Sequence, residues 1–386
     1  MSFIITLLAA VFVFSAVIAI HEFGHFAVAK LCGVQVNEFS IGMGPVLLKK
    51  MHHGTQYSLR ALPVGGFVAL EGEESPESQQ AEGKERSDLE ERPLSQRSGA
   101  DSSHKGGTLN GEEVSQPTGK PLNEAPVWQR ALIMAAGACM NFLLGFVVMA
   151  IVLAAQNEPI TSRVIYAVED GALCGQTGLE AGDKVLAVNG RRCFVANDML
   201  YELMRTEDYS ASFTVLRDGK KVELPRVQFD TWQDEEGKTH MSLGFTVYGI
   251  RKTPVNVIKE AWNSVLYYGR IIFTSLMDLL RGRESINDLS GPVGIVTAIG
   301  QAASYGWQDL LELLALITVN VGIFNLLPFP ALDGGKVVFL FIEGVTGHAV
   351  PEKIQSGLTL AAFALLFALM IFATYNDIVR LVTGAI

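Results

Sequence analysis

Apolar and polar positions along this chain follow two scales. On the longer scale, runs close to the ~20 apolar residues needed to cross a bilayer occur at 3–29, 131–155, 310–332 and 357–373. They predict four membrane-spanning helices. A fifth stretch, 255–280, contains Lys259, Glu260, Arg270 and Asp278 and repeats apolar residues at Val255, Ile258, Trp262, Val265, Ile272 and Leu276. That spacing gives a one-sided helix for a membrane interface or, equally, for the core of a soluble domain.

On the shorter scale, polarity alternates residue by residue over 163–247, between turn signals. Gly178-Leu179-Glu180-Ala181-Gly182-Asp183 leads into a strand at 184–188 that stops at Asn189-Gly190. A helix is predicted from about Asn197 to Arg205, followed by strands at 212–217 and 221–224 joined across Asp218-Gly219. The Gly-Leu-x-x-Gly-Asp run with Val-Asn-Gly resembles a PDZ domain of the circularly permuted bacterial kind. Such domains accept an extended peptide as an added strand, so the resemblance implies a site for substrate tails or a steric filter, with a purely structural role as the plain alternative. Residues 34–70 also alternate, at Val34, Val36, Thr55, Tyr57 and Leu59, with breaks expected at Gly42, Gly44, Pro45, Gly65 and Gly66.

Composition sharpens this division. The chain is 49% hydrophobic, with a mean hydropathy of +0.29, between the values of a soluble protein and one wholly in lipid. Of the net charge of −10, residues 71–125 supply −7, from 13 acidic and 6 basic side chains. Rich in Glu, Ser, Gln and Gly, that segment cannot bury enough apolar surface to offset chain entropy and is expected to be a disordered cytoplasmic loop. No basic patch suggests nucleic acid.

Lys30, Lys49, Lys50, Arg60 and Arg130 cluster between the first two spans, and positive charge marks the cytoplasmic side. Both termini and 158–309 are then expected outside, and 30–130 inside. With no positive n-region before it, the first span is expected to be an uncleaved anchor; Arg380 weakly opposes this map. Cys32, Cys139, Cys174 and Cys193 form no CxxC pair; Cys174 and Cys193 are expected to be free thiols, although they share a domain.

The candidate chemistry sits at the end of the first apolar run, which has no charged residue from Phe3 to Ile20. There, His21-Glu22-Phe23-Gly24-His25 places two imidazoles at i and i+4, on one helix face, with a carboxylate beside them. Two core histidines are the plain alternative. In a membrane span, however, such residues cost about 2–3 kcal/mol each unless they have a role. The pattern suits a zinc ion and a general base, as in zinc peptidases. A catalytic zinc generally takes a third protein ligand, and Asp333 is the candidate: Pro328 and Pro330 break the third span and leave it on the side where the first span ends.

His-Glu-Phe-Gly-His, together with Asn325-Leu326-Leu327-Pro328-Phe329-Pro330-Ala331-Leu332-Asp333-Gly334, resembles the site-2 protease family of intramembrane zinc metalloproteases. Residues 130–141, the single PDZ-like domain and Leu289-Ser290-Gly291-Pro292-Val293-Gly294 resemble its bacterial branch, in a form similar to enzymes of Gram-positive bacteria. The resemblance implies zinc on His21, His25 and Asp333, Glu22 as base, and Asn325 holding the substrate backbone or oxyanion, with a helix cap as its plain reading. The acidic insert departs from the family pattern. A β-hairpin-like element beside the zinc is also implied, and the edge around Val64, Gly65, Gly66 and Phe67, continuing to Leu70, is expected to hold an unwound substrate as an added strand.

The expected fold is a mainly α-helical polytopic membrane protein with four transmembrane helices, a membrane-associated β-hairpin-like element and an inserted α+β PDZ-like domain. Its expected segments are 1–70 with the zinc motif, 71–125 as the acidic loop, 126–158 as the second span, 159–250 as the PDZ-like domain, 251–308 with the amphipathic helix, and 309–386 with the last two spans. The expected activity is cleavage of single-span membrane proteins (anti-sigma factors, remnant signal peptides) in a bacterial cell membrane, after a first outer cut. Membrane lipid is a further expected partner. A non-catalytic peptide-binding scaffold is the competing class; a metal-ion transporter leaves the PDZ-like domain and the paired motifs unexplained.

Overall fold

The first apolar run folds as α1 (Phe3–Leu31), and its end shows how local sequence stops a helix. In the computed structural model, which describes residues 3–73, 119–206, 208–234, 237–283, 285 and 289–383, Gly33 takes a left-handed φ of 71°. The Gly33 N–H then bonds the Lys30 carbonyl and the Val34 N–H bonds the Ala29 carbonyl, satisfying the last orphan acceptors in a Schellman motif. Ala29 and Val34 are both buried in one apolar cluster.

Three more helices are long and apolar enough to cross a membrane: α2 (Val127–Ala155), α7 (Trp307–Leu326) and α9 (Glu352–Thr383). The third ends at Leu326, six residues before the expected limit, because Pro328 and Pro330 cannot continue it. The chain then turns through residues 327–332 into α8 (Asp333–Thr346).

Contacts divide the chain into two units. One comprises Leu7–Asn141 and Phe324–Ile371. Here β1 (Val36–His52) and β2 (Thr55–Leu70) form a two-residue hairpin at His53-Gly54, both with positive φ. The expected glycine breaks are bends instead: Gly42, Gly44 and Gly65 have φ of 89°, 85° and 98°, and the ribbon folds back on itself through them. Glu38, Phe39, Ser40 and Ile41 each face two partners, Gln56 to Leu59 on one side and Gly66 to Ala69 on the other. The segment 66–70 is thus an edge, with no second strand on it among the described residues.

Residues 74–118 of the expected acidic loop lie outside the described residues. At its margin, Leu122 and Ala125 are buried with Ala29, Val36 and Ile133, so the folded part extends further toward the loop than composition implied.

The second unit comprises Met1–Thr6, Phe142–Ile323 and Phe372–Ile386. It contains β3 (Ile160–Val168), α3 (Leu173–Gln176), β4 (Lys184–Val188), β5 (Arg191–Arg192), α4 (Ala196–Met204), β6 (Ser210–Arg217), β7 (Lys220–Gln228), β8 (Asp230–Gln233), β9 (Thr239–Ser242) and β10 (Phe245–Ile250). The main sheet has the order β10-β3-β4-β6-β7, and β5 pairs with β4. Asn189-Gly190 and Asp218-Gly219 make left-handed turns. Ile165, Val185, Phe213, Val215 and Leu203 fill the core. Cys174 and Cys193 are both buried and free, and burial together with the nearby Asp198 charge pushes the Cys193 thiol up to about 12.

After this domain comes α5 (Pro254–Leu280), begun by Pro254 at its first turn and by the Thr253 hydroxyl, which accepts from the Asn256 N–H. Arg270 on this helix pairs with buried Asp198 and, at 3.3 Å, with Glu202 on α4. The Leu-Ser-Gly-Pro-Val-Gly run opens α6 (Pro292–Tyr305). The Gly291 and Gly294 N–H groups donate to the buried Asp377 carboxylate of α9 at 3.1 and 2.8 Å, so the motif acts here as a helix start.

Candidate metal centre

One turn of α1 brings His21 and His25 together, their Nε2 atoms 3.1 Å apart. Asp333, first residue of α8, closes a triangle: its Oδ2 lies 3.1 Å from His21 Nε2 and 3.3 Å from His25 Nε2. Gly334 and Gly335 make that position reachable. A Cβ on Gly334 would fall on the Leu327 carbonyl oxygen and 2.6 Å from the Leu326 carbonyl carbon, so only glycine lets α8 begin against the proline-broken turn.

The proton positions give this triangle its chemistry. His25 Nδ1 meets the Ile133 carbonyl at 2.7 Å, and a carbonyl only accepts, so Nδ1 carries the proton and Nε2 turns a lone pair toward Asp333. Asp333 Oδ2 is buried and accepts no hydrogen bond among the described residues. Electron-rich atoms held this close suit a cation between them. Ligands around tetrahedral zinc, at bonds of ~2.0–2.1 Å, stand roughly 3.3 Å apart, so the donor set and its spacing fit that ion.

Two residues of α2 complete the centre, and neither was among the expected site residues. Gly137 faces the imidazoles: a Cβ there would strike His25 Nε2 and stand 2.6 Å from His21 Cε1. Asn141, fully buried, places its carboxamide 3.2 Å from His21 Nδ1. The amide nitrogen is the atom that stands there; turned over about its Cβ–Cγ bond, which its planar shape allows, the amide would offer its oxygen to Nδ1–H and leave His21 Nε2 unprotonated, the tautomer a metal requires. A buried Asn one helical turn after a Gly, inside an apolar span, was the available signal.

A cavity of about 180 Å³ opens onto these groups, lined by Glu22, Phe67, Val68, Leu70, Glu73 and Lys336 among others. Glu22 adjoins the strand edge: a Cβ on Gly66 would stand 3.5 Å from Glu22 Cγ. Lys336 pairs with Glu73 at 2.7 Å. Burial works against the Lys336 charge, but Glu73, with Asp333 and Glu22 beyond it, outweighs that and raises its pKa. Of the expected substrate-positioning residues, Phe67 lines the cavity and Gly66 borders Glu22. Gly65 makes a bend, and the Val64 side chain lies outside the described residues. Asn325 is half-buried in the last turn of α7, away from the cavity lining.

A family model described as Peptidase family M50 matches residues 9–369. The chain is 29% identical to the Regulator of sigma-W protease RasP of Bacillus subtilis (strain 168), over 98% of this chain and 99% of the relative. It is 30% identical to the Zinc metalloprotease RasP of Bacillus licheniformis, over 97% and 99%. A putative zinc metalloprotease of Clostridium perfringens is also 30% identical, over 96% and 97%.

Proposed function

The chain belongs to peptidase family M50, the site-2 protease family, and is a multi-pass zinc metalloprotease; from that premise we propose that it cuts single-span membrane proteins within or beside the bilayer, after another protease has shortened their outer part. Anti-sigma factors and remnant signal peptides are the proposed substrates. The observation that carries the reading is the close triangle of His21, His25 and Asp333 with Glu22 beside it.

In this reading His21 Nε2, His25 Nε2 and Asp333 Oδ2 hold the zinc. Bound there, zinc supplies Lewis acidity toward a peptide carbonyl and a water oxygen. Glu22 takes the proton from the attacking water on its carboxylate and returns it to the leaving amide nitrogen. A helical substrate shields its carbonyls in its own hydrogen bonds, so it must unwind first. The edge 66–70 offers unpaired backbone groups for a substrate added as a strand, and its closeness to Glu22 supports that assignment. Asn325 remains a proposed partner of the substrate backbone beyond the cavity lining.

The domain of 159–250 is read as PDZ-like, with β10 at the edge of its main sheet as the place for a substrate tail. The proposed setting is a bacterial cell membrane, with both termini outside and the metal centre toward the cytoplasm. The test is purified protein reconstituted with a single-span fragment. Glu22→Gln should keep its zinc and lose cleavage by at least ~10²-fold; cleavage by neither form would favour a scaffold, and equal cleavage by both would remove Glu22 as the base.

A further inference from the structure

In the second unit, a cavity of about 740 Å³ lies between α2, α5, α7 and the sheet domain, within the ~300–1,000 Å³ typical of ligand sites. Its lining combines two chemistries. One is apolar: Phe142 and Ile323 come from two candidate spans, and Trp262 and Phe273 from α5. The other is cationic, from Arg191, Arg192 and Arg270, with no acidic residue in the lining.

The arginines are not equivalent. Arg270 pairs with Asp198 and, at 3.3 Å, with Glu202, and Arg191 faces Glu202 at 3.6 Å, so the charge of both is met within the protein. Arg192 is exposed, lies over the Phe194 ring at 5.5 Å, and has no carboxylate within ion-pair distance among the described residues. Beside this cation, α5 exposes an apolar stripe: Val255, Ile258, Trp262 and Phe273 are each more than half exposed. Because the cavity is walled partly by candidate membrane spans, its apolar residues suit acyl chains and its arginines suit an anionic headgroup.

We propose that this cavity is a binding site for an anionic phospholipid, one acyl chain lying along Trp262 and Phe273 and the phosphate meeting Arg192, with Arg191 and Arg270 beside it. A guanidinium meets a phosphate through charge-assisted hydrogen bonds, while the aromatic side chains beside it take up an acyl chain. Such a lipid would bind the sheet domain and α5 together at the membrane surface, so lipid headgroup composition would affect how that domain is held.

The test uses the full chain with Trp128, Trp232 and Trp307 changed to Phe, which leaves Trp262 as the only indole. Reconstituted in phosphatidylcholine vesicles, it is titrated with phosphatidylglycerol or phosphatidylcholine carrying brominated chains, and Trp262 quenching is read. Brominated phosphatidylglycerol should quench saturably at a lower mole fraction than brominated phosphatidylcholine. Arg192→Gln should raise that mole fraction about fivefold, as expected for one cation near the surface, and Arg192→Lys should restore it. Equal quenching by both headgroups, or an unchanged Arg192→Gln curve, overturns the proposal. So does protection of Trp262 by an added single-span peptide in place of lipid, which would make the cavity a protein-binding groove.

Discussion

His25 donates its Nδ1 proton to the Ile133 carbonyl on the neighbouring helix α2, at 2.7 Å, and this one contact decides which nitrogen of the imidazole faces Asp333. Gly137 stands one helical turn after Ile133 and carries no Cβ, so the imidazole can come this close to the helix backbone. The tautomer that faces Asp333 therefore depends on a helix crossing as well as on the motif itself.

Gly137→Ala should disturb both imidazoles. A methyl group there cannot be accommodated without moving His21 or His25, and loss of such support typically lowers metal affinity ~10–100-fold. Zinc per chain, measured after dialysis against a weak chelator, should fall while helix content by circular dichroism stays at the wild-type level.

Val68→Pro tests the strand edge. Val68 pairs with Phe39 on one side and lines the metal cavity on the other, and proline removes an N–H and disfavours continued pairing. Cleavage of a single-span fragment should be abolished with zinc retained; undiminished cleavage would remove the edge from the mechanism.

Arg270→Met should destabilise the second unit. Asp198 and Glu202 are buried, and removing the guanidinium leaves their charges short of a partner, at a cost of about 3 kcal/mol. The thermal midpoint in detergent should drop by several degrees. Combining Arg270→Met with Asp198→Asn and Glu202→Gln should recover most of it, since the uncompensated charges are then gone.

Cys193 should resist alkylation. With its thiol pushed up to about 12 by burial, the reactive thiolate is only about one part in ten thousand at pH 8. Mass spectrometry should find Cys193 unmodified by iodoacetamide in the folded protein and modified in denaturant, with labelling rising as pH approaches that value.

Much of this molecule was legible along the chain because the signals are local. The i, i+4 spacing of His21 and His25, the strand ending at Asn189-Gly190 and the proline break before Asp333 each concern a few consecutive residues. The glycines of 42–66 misled for a related reason. A glycine with positive φ can end a strand or bend it, and the choice belongs to the pairing partner.

The sequence by itself determined the apolar runs behind the four candidate spans, the i, i+4 spacing of His21 and His25, and the turns at Asn189-Gly190 and Asp218-Gly219, since hydropathy and backbone preference act over short distances. Only the tertiary structure decided that Gly137 and Asn141 support the histidines, that residues 38–41 take a partner on each side so that 66–70 becomes an edge beside Glu22, and that Arg270 locks α5 to α4. Those relationships depend on how closely elements far apart in the chain approach one another. Close approach is set by packing, which leaves no fixed spacing in the sequence.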